Sequence, residues 1–163
     1  DFNLGFRNNL SWKGFNLGFL LTARIGGEVM SATQAILDKY GVSEASAIAR
    51  DNGGVTVNFG KLDPQYFYEY IGGGDTGMLS NYVYSATNVR LQELTLGYNL
   101  PKKWFNDKLN MTVSLIGRNL WMIYNKAPFD PESIAFTGTY FQGLDYFMQP
   151  SLRNVGFSVR MQF

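Results

Sequence analysis

Histidine and cysteine are both missing from this 163-residue sequence, and the reactions open to the remaining side chains are correspondingly few. Without an imidazole there is no Ser-His-Asp or Cys-His relay, and without a thiol there is neither thiolate chemistry nor a disulfide framework. The carboxylates add little. Asp130 and Glu132 flank Pro131 with no further ligand at fixed spacing, a weak signal for calcium or for acid/base work. The stretch Gly72-Gly73-Gly74-Asp75 lacks the Gly-Lys-Ser/Thr that a phosphate loop requires and reads as a turn. These residues point to no enzyme, no metal site and no cofactor. With 14 basic and 13 acidic residues the net charge is +1, so the overall balance carries no footprint for nucleic acid.

What remains are side chains that bind rather than react, namely arginines and aromatics. Arg7, Arg24, Arg118 and Arg160 recur at polar positions of alternating runs. They read either as a substrate track or as partners for carboxylates on neighbouring elements. The aromatics Tyr66, Tyr68, Tyr70, Tyr140, Phe141, Tyr146 and Phe147 lie between those runs, where they would stack on a ligand, cover a partner, or pack among themselves.

The elements that must position them are strands. From Phe2 to Trp12 the even residues are mostly apolar and the odd ones polar or glycine, and after Lys13-Gly14 the pattern restarts with Phe15, Leu17, Phe19, Leu21, Ala23 and Ile25 on one face. Only Leu20 is out of place. The two runs predict a long hairpin. A third run sets Leu94, Leu96, Tyr98 and Leu100 against Glu93, Thr95, Gly97 and Asn99, with Val89 to Leu91 out of phase by one residue, which a bulge near Gln92 would explain. A fourth carries Leu109, Met111, Val113, Leu115, Trp121 and Ile123 on one face. The fifth carries Val155, Phe157, Val159, Met161 and the terminal Phe163. Soluble strands average about five or six residues. These runs approach the roughly 9 to 11 that a tilted strand needs to cross a bilayer, while no apolar stretch approaches the roughly 20 residues of a transmembrane helix.

Connections alternate between short (13–14, 102–108) and long (27–85, 125–151), as periplasmic turns and external loops do in outer-membrane barrels. The expected fold is all-β: about five C-terminal antiparallel strands of a large transmembrane β-barrel, near 1–12, 15–26, 86–100, 108–124 and 152–163, with long extracellular loops containing short helices. Trp12, Tyr98 and Trp104 then fall near the periplasmic rim and Trp121 and Tyr124 near the outer one, positions that suit aromatic girdles. In the first loop Ser31 and Gln34 form a capping-box pattern and Gly41 stands where a helix would end. A second short helix follows Ser43. The segment from Asn52 through Tyr66–Tyr70 to Gly74 reads as irregular loop with a small hairpin.

Several motifs resemble one family. Asn88-Val89-Arg90-Leu91-Gln92-Glu93-Leu94-Thr95-Leu96-Gly97-Tyr98-Asn99-Leu100-Pro101, then Gly117-Arg118-Asn119-Leu120-Trp121, Asp130-Pro131-Glu132, and the end from Pro150 to Phe163 are similar to late-barrel segments of SusC/RagA-type TonB-dependent transporters. Upstream, Gly26-Gly27-Glu28, Gly41-Val42-Ser43 and Arg50-Asp51 are similar to the family's large external loop. Met148-Gln149-Pro150-Ser151-Leu152-Arg153-Asn154 departs from it, lacking the Arg-Thr-Tyr run that often precedes the last strand.

The resemblance implies a barrel of about 22 strands, of which this chain supplies the last five, with the plug and the TonB-contacting part lying outside it. It implies an outer-membrane, Gram-negative location, TonB-driven import of oligosaccharides or peptides, and a SusD-type surface lipoprotein as partner. It further implies outer-membrane lipid around the barrel and a terminal Phe163 read by the barrel-assembly machinery. Candidate substrate-binding residues are Arg24, Arg118, Tyr66, Tyr68, Tyr140 and Phe141. Two rivals stand beside this reading. A passive porin or a barrel-anchored adhesin shares the alternation, and a soluble β-sandwich shares it too but needs both long loops as insertions.

Overall fold

A computed structural model describes all residues except 74–76, 106–107, 136–137, 139–141 and 163. The chain divides into two compact units, 1–27 with 86–130 and 150–163, and 28–85 with 131–149.

The first unit is one antiparallel sheet. Its strands are β1 (Phe2–Trp12), β2 (Phe15–Ile25), β7 (Asn88–Asn99), β8 (Asn110–Asn125) and β10 (Asn154–Gln162), in the order β1-β2-β7-β8-β10. β1 and β2 close through Lys13 and Gly14 at φ of 46° and 90°. Two consecutive positive φ values make the turn whose twist matches the strands it joins, and Gly14 supplies the second without steric cost.

Register gathers most of the apolar residues on one face across the whole sheet, with Leu20, Ile116 and Met122 on the other. Leu17 pairs with Leu10 and Leu96, Leu96 with Leu115, and Leu115 with Phe157. A one-residue slip would flip a strand's entire apolar set, so the correction made by the bulge matters. Leu20 lies opposite Glu93 but Leu21 lies opposite Leu91, which leaves Gln92 as the extra residue and brings Val89 and Leu91 back to the apolar side. On β8 the compensating irregularity falls at Asn119, whose φ is 52°, between the Glu93–Arg118 and Leu91–Trp121 pairs.

The apolar face is bare within this chain. Phe157 is 81% exposed, and Phe2, Leu4, Phe6, Leu10, Leu115 and Val155 are all exposed. An uninterrupted apolar sheet face needs an apolar neighbour, and a bilayer supplies one. No helix of the described residues is long and apolar enough to cross a membrane.

The second unit is helical with a small sheet. β3 (Glu28–Ser31) lies between β6 (Val83–Ser85), antiparallel, and β9 (Leu144–Asp145), parallel. The helices are α1 (Ala32–Lys39), α2 (Glu44–Asp51) and α3 (Pro64–Gly72), with a hairpin of β4 (Val55–Val57) and β5 (Gly60–Leu62) between the last two. Ala35, Ile71 and Tyr82 form the core, with Met30, Phe67, Tyr68, Leu79 and Tyr84 packed against it.

Two sequence expectations change here. The capping box is half made: the Ser31 hydroxyl accepts from the Gln34 amide at 3.1 Å, but the Gln34 side chain accepts from Tyr84 Oη instead of returning to Ser31. The Tyr66–Tyr70 cluster is helix, not irregular loop. Asp63 caps it by accepting from the Tyr66 amide, Pro64 opens it where no intrahelical donor is needed, and Phe67 and Ile71 face the core. At Gly41 the ending is as expected. Its φ is 67°, its N–H bonds to Asp38 O, and the next N–H bonds to Leu37 O, the paired bonds of a Schellman close.

Candidate functional site

The polar face of the sheet carries the arginines. Arg7 on β1 and Arg118 on β8 both reach Glu93 on β7, at 2.5 Å and 3.5 Å. One carboxylate thus holds two guanidinium groups across four strands. All three are partly solvated, so the pairs contribute positioning more than stability. Arg24 lies four residues further along β2 from Leu20, the residue opposite Arg7, and Arg160 lies opposite Thr112 toward the other end. Among the described residues neither has a carboxylate partner.

Arg90 behaves differently. It is 1% exposed, and its guanidinium donates to Asp130 at 2.7 Å, to Asn119 Oδ1 at 3.0 Å and to Ser151 Oγ at 3.4 Å. Asp130 in turn accepts from the Ser151 amide, and Asn119 donates to Ser151 O. The Asp130 carboxylate and two neutral acceptors offset the cost of burying the charge. This knot ties β7, β8 and the approach to β10, and it draws on all four of the late-barrel motifs that carry the family resemblance. Its role is structural, which disposes of Asp130 as an acid/base or calcium candidate. Sequence reading missed Arg90 because its partners lie 29 to 61 residues away; its place at a polar strand position was the available signal.

In the helical unit a cavity of about 420 Å³ is lined by Tyr40, Arg50, Gln65, Tyr68 and Glu69, with Asp38 beside them. Tyr68 therefore lines a cavity, whereas Tyr66 and Tyr70 stand 66% and 58% exposed on the outer face of α3 with near-parallel rings, centroids 6.5 Å apart. The helix puts residues four apart side by side, an arrangement invisible while the segment reads as loop. Tyr140 and Phe141 lie outside the described residues. Tyr146 and Phe147 meet edge to face at 5.4 Å and are half exposed. Among the described residues no group of three acidic side chains is placed to hold a metal ion.

Asp38 is buried, and Tyr82 Oη donates to its Oδ2 at 3.0 Å while its Oδ1 has no partner among the described residues. Burial first, then the Asp38 charge and this hydrogen bond, push the Tyr82 phenol far above its usual value; Tyr68 and Tyr84 are raised for the first two reasons. A raised folded value means that unfolded Tyr82 ionises first. Its contribution is fully present below about pH 10 and is lost as pH climbs above that. Tyr82→Phe is expected to cost about 1–3 kcal/mol, by leaving a buried carboxylate without its donor, and to weaken the alkaline loss of stability. Urea unfolding at neutral and alkaline pH measures both effects.

The remaining aromatics sit at the two ends of the sheet. Trp12 and Tyr98 flank Phe15, with the Phe15 and Tyr98 rings 4.6 Å apart, and Lys13 lies over Trp12 at 5.0 Å. Trp104, exposed in the 3-10 turn Lys102–Phe105, follows β7 at that same end. Trp121 and Tyr124 are exposed toward the opposite end, beside Leu91 and Val89. Phe163 lies outside the described residues.

No family model matches the chain. Curated relatives do. The whole chain is 28% identical over 170 residues to TonB-dependent receptor P3 of Formosa agariphila, and 81% of it is 28% identical to TonB-dependent receptor P39 of the same organism. The chain spans 16% and 13% of those proteins' lengths. Among solved structures, the RagAB peptide importer in an open-open state shares its fold over 98% of the chain, with a TM-score of 0.64 at 21% identity. The RagAB peptide transporter shares it over 96%, at 0.61 and 21%. In each case the match takes up 16% of the larger chain. With its five-stranded sheet and its long helical insertion, the chain is similar in sequence to a stretch of TonB-dependent receptors and shares its fold with a stretch of the RagAB importer.

Proposed function

We propose that the receptor carrying this chain is an outer-membrane importer of oligosaccharides or peptides, driven through TonB and working with a SusD-type surface lipoprotein. The observation that supports this most is the five-stranded register, which keeps one face predominantly apolar from Phe2 to Met161 and the other predominantly polar, as a barrel between lipid and a wet lumen requires. In this reading the helical unit is external. Trp12, Tyr98 and Trp104 mark the periplasmic interface, Trp121 and Tyr124 the outer one, and Phe163 serves the barrel-assembly machinery. Arg24 and Arg118 face the cargo path. Tyr66 and Tyr68, with Tyr140 and Phe141, contribute aromatic surface to capture.

The test is depletion of medium. Cells with and without the receptor are given a casein peptide digest and a partial starch hydrolysate, and the residue is profiled by mass spectrometry. Import predicts that one class disappears only with the receptor present and that an uncoupler abolishes the loss. Uptake that survives the uncoupler would instead indicate a passive pore, and no receptor-dependent loss of either class would defeat the proposal.

A further inference from the structure

The net charge of +1 conceals a separation. Eleven of the 14 basic residues and four of the 13 acidic ones lie in the sheet unit, leaving it at +7, while the helical unit holds the other three and nine, at −6. Five of those eleven, Arg7, Arg24, Arg90, Arg118 and Arg160, stand on the polar face of the strands. Glu93 is the one carboxylate among the polar-face positions of the described strands, and Arg7 and Arg118 already share it. Arg90 is neutralised by Asp130. Among the described residues neither Arg24 nor Arg160 has a carboxylate partner.

Their depths follow from the register. Arg24 stands four residues from the Arg7–Glu93–Arg118 rung, about 13 Å at strand rise, and Arg160 stands six residues beyond that rung on the other side, about 20 Å. The cations are thus spaced along the strand direction rather than gathered in one nest, and span about 33 Å, close to a hydrocarbon core's thickness. Between the Glu93 rung and Arg160 the face offers small or polar groups such as Ser114, Ser158, Thr95 and Gly97 beside Ile116, and between that rung and Arg24 it carries Thr22, Met122 and the Asp130-paired Arg90. A fixed partner with one acidic patch would be met by one cluster. A ladder suits an extended ligand with charges at intervals, and rings of arginine are what anion-selective pores present. Guanidinium also matches a carboxylate bidentately.

Resting on the import reading above, we infer that the polar face of this sheet is a track for an oligomer whose units carry carboxylates, with Arg24 and Arg160 as its free contacts and the Arg7–Glu93–Arg118 rung between them. The carboxylates could come from uronic sugars or from acidic residues, and the experiment separates these sources.

The intact receptor in detergent is titrated with fluorescent hexagalacturonate, hexaglutamate and neutral maltohexaose. At least one charged probe is expected to bind more tightly than maltohexaose, to weaken on raising salt, and to lose about ten-fold in affinity in the double variant R24Q/R160Q, with maltohexaose unchanged. R24K/R160K should recover part of the loss. Equal binding of all three probes, or an unchanged affinity in R24Q/R160Q, would overturn the inference. So would a double variant that fails to assemble, judged by heat-modifiable migration, because the arginines would then be holding carboxylates of the protein itself. The import reading is judged separately: uncoupler-sensitive depletion with no charge preference removes the track alone, whereas charged-probe binding without energised uptake removes import alone.

Discussion

Replacing Arg90 by alanine in the receptor is expected to cost about 3–5 kcal/mol, the largest loss from any single polar substitution in the sheet unit. The reason lies in what is left behind. Asp130 is nearly as inaccessible as Arg90, and without the guanidinium its carboxylate stays buried with its countercharge gone. Asn119 also loses a donor while sitting in a left-handed backbone conformation that its neighbours must maintain. Removing both charges together, as Arg90→Met with Asp130→Leu, should cost much less than the sum of the single changes, since neither leaves an orphan. Urea titration of the four proteins, followed by tryptophan fluorescence, gives the double-mutant cycle. Costs that simply add would show that the pair is not coupled and that the knot is incidental.

The second large effect depends on which face meets lipid. Leu94 is at the middle of β7 and of the apolar face, between Phe19 and Gly117. Leu94→Arg places a charge where the bilayer is thickest, at an expected cost of about 2–4 kcal/mol. Ser158→Arg on the polar face of β10, opposite Ser114, should lie within about 0.5 kcal/mol of the parent. The contrast between the two carries the information, because the same arginine is added each time. Equal costs would mean that neither face is lipid, and a reversed order would mean that the lumen has been assigned to the wrong side.

Much of the sheet was legible because alternation is a local property. The hairpin at Lys13-Gly14 announces itself through turn chemistry flanked by two in-phase runs, and the bulge at Gln92 through the break in phase that only an extra residue can cause. The helical unit was less legible. Around Tyr66–Tyr70 a run of aromatics has weak helix propensity and no clear period, and what decides the matter is burial of Phe67 and Ile71 against residues far away in sequence. Asp63-Pro64 carries a start signal for that helix, a capping carboxylate followed by proline in the first turn. Of the candidate site, the arginine positions could be read from parity. Their pairing could not, since which strand brings a carboxylate such as Glu93 to Arg118 depends on strand order and register.

This stretch contains no cysteine, so on a background in which any cysteine elsewhere in the receptor is replaced one measurement is specific to β10. Single cysteines placed in turn at positions 155 to 161 of β10 in the receptor, spin-labelled and reconstituted in lipid, report exposure to oxygen dissolved in the bilayer against a water-soluble nickel relaxant. The account predicts strict alternation, with Val155, Phe157, Val159 and Met161 open to oxygen and Gly156, Ser158 and Arg160 open to nickel. Uniform nickel access along the strand, or a period near 3.6, would contradict the assignment of this chain to a barrel wall.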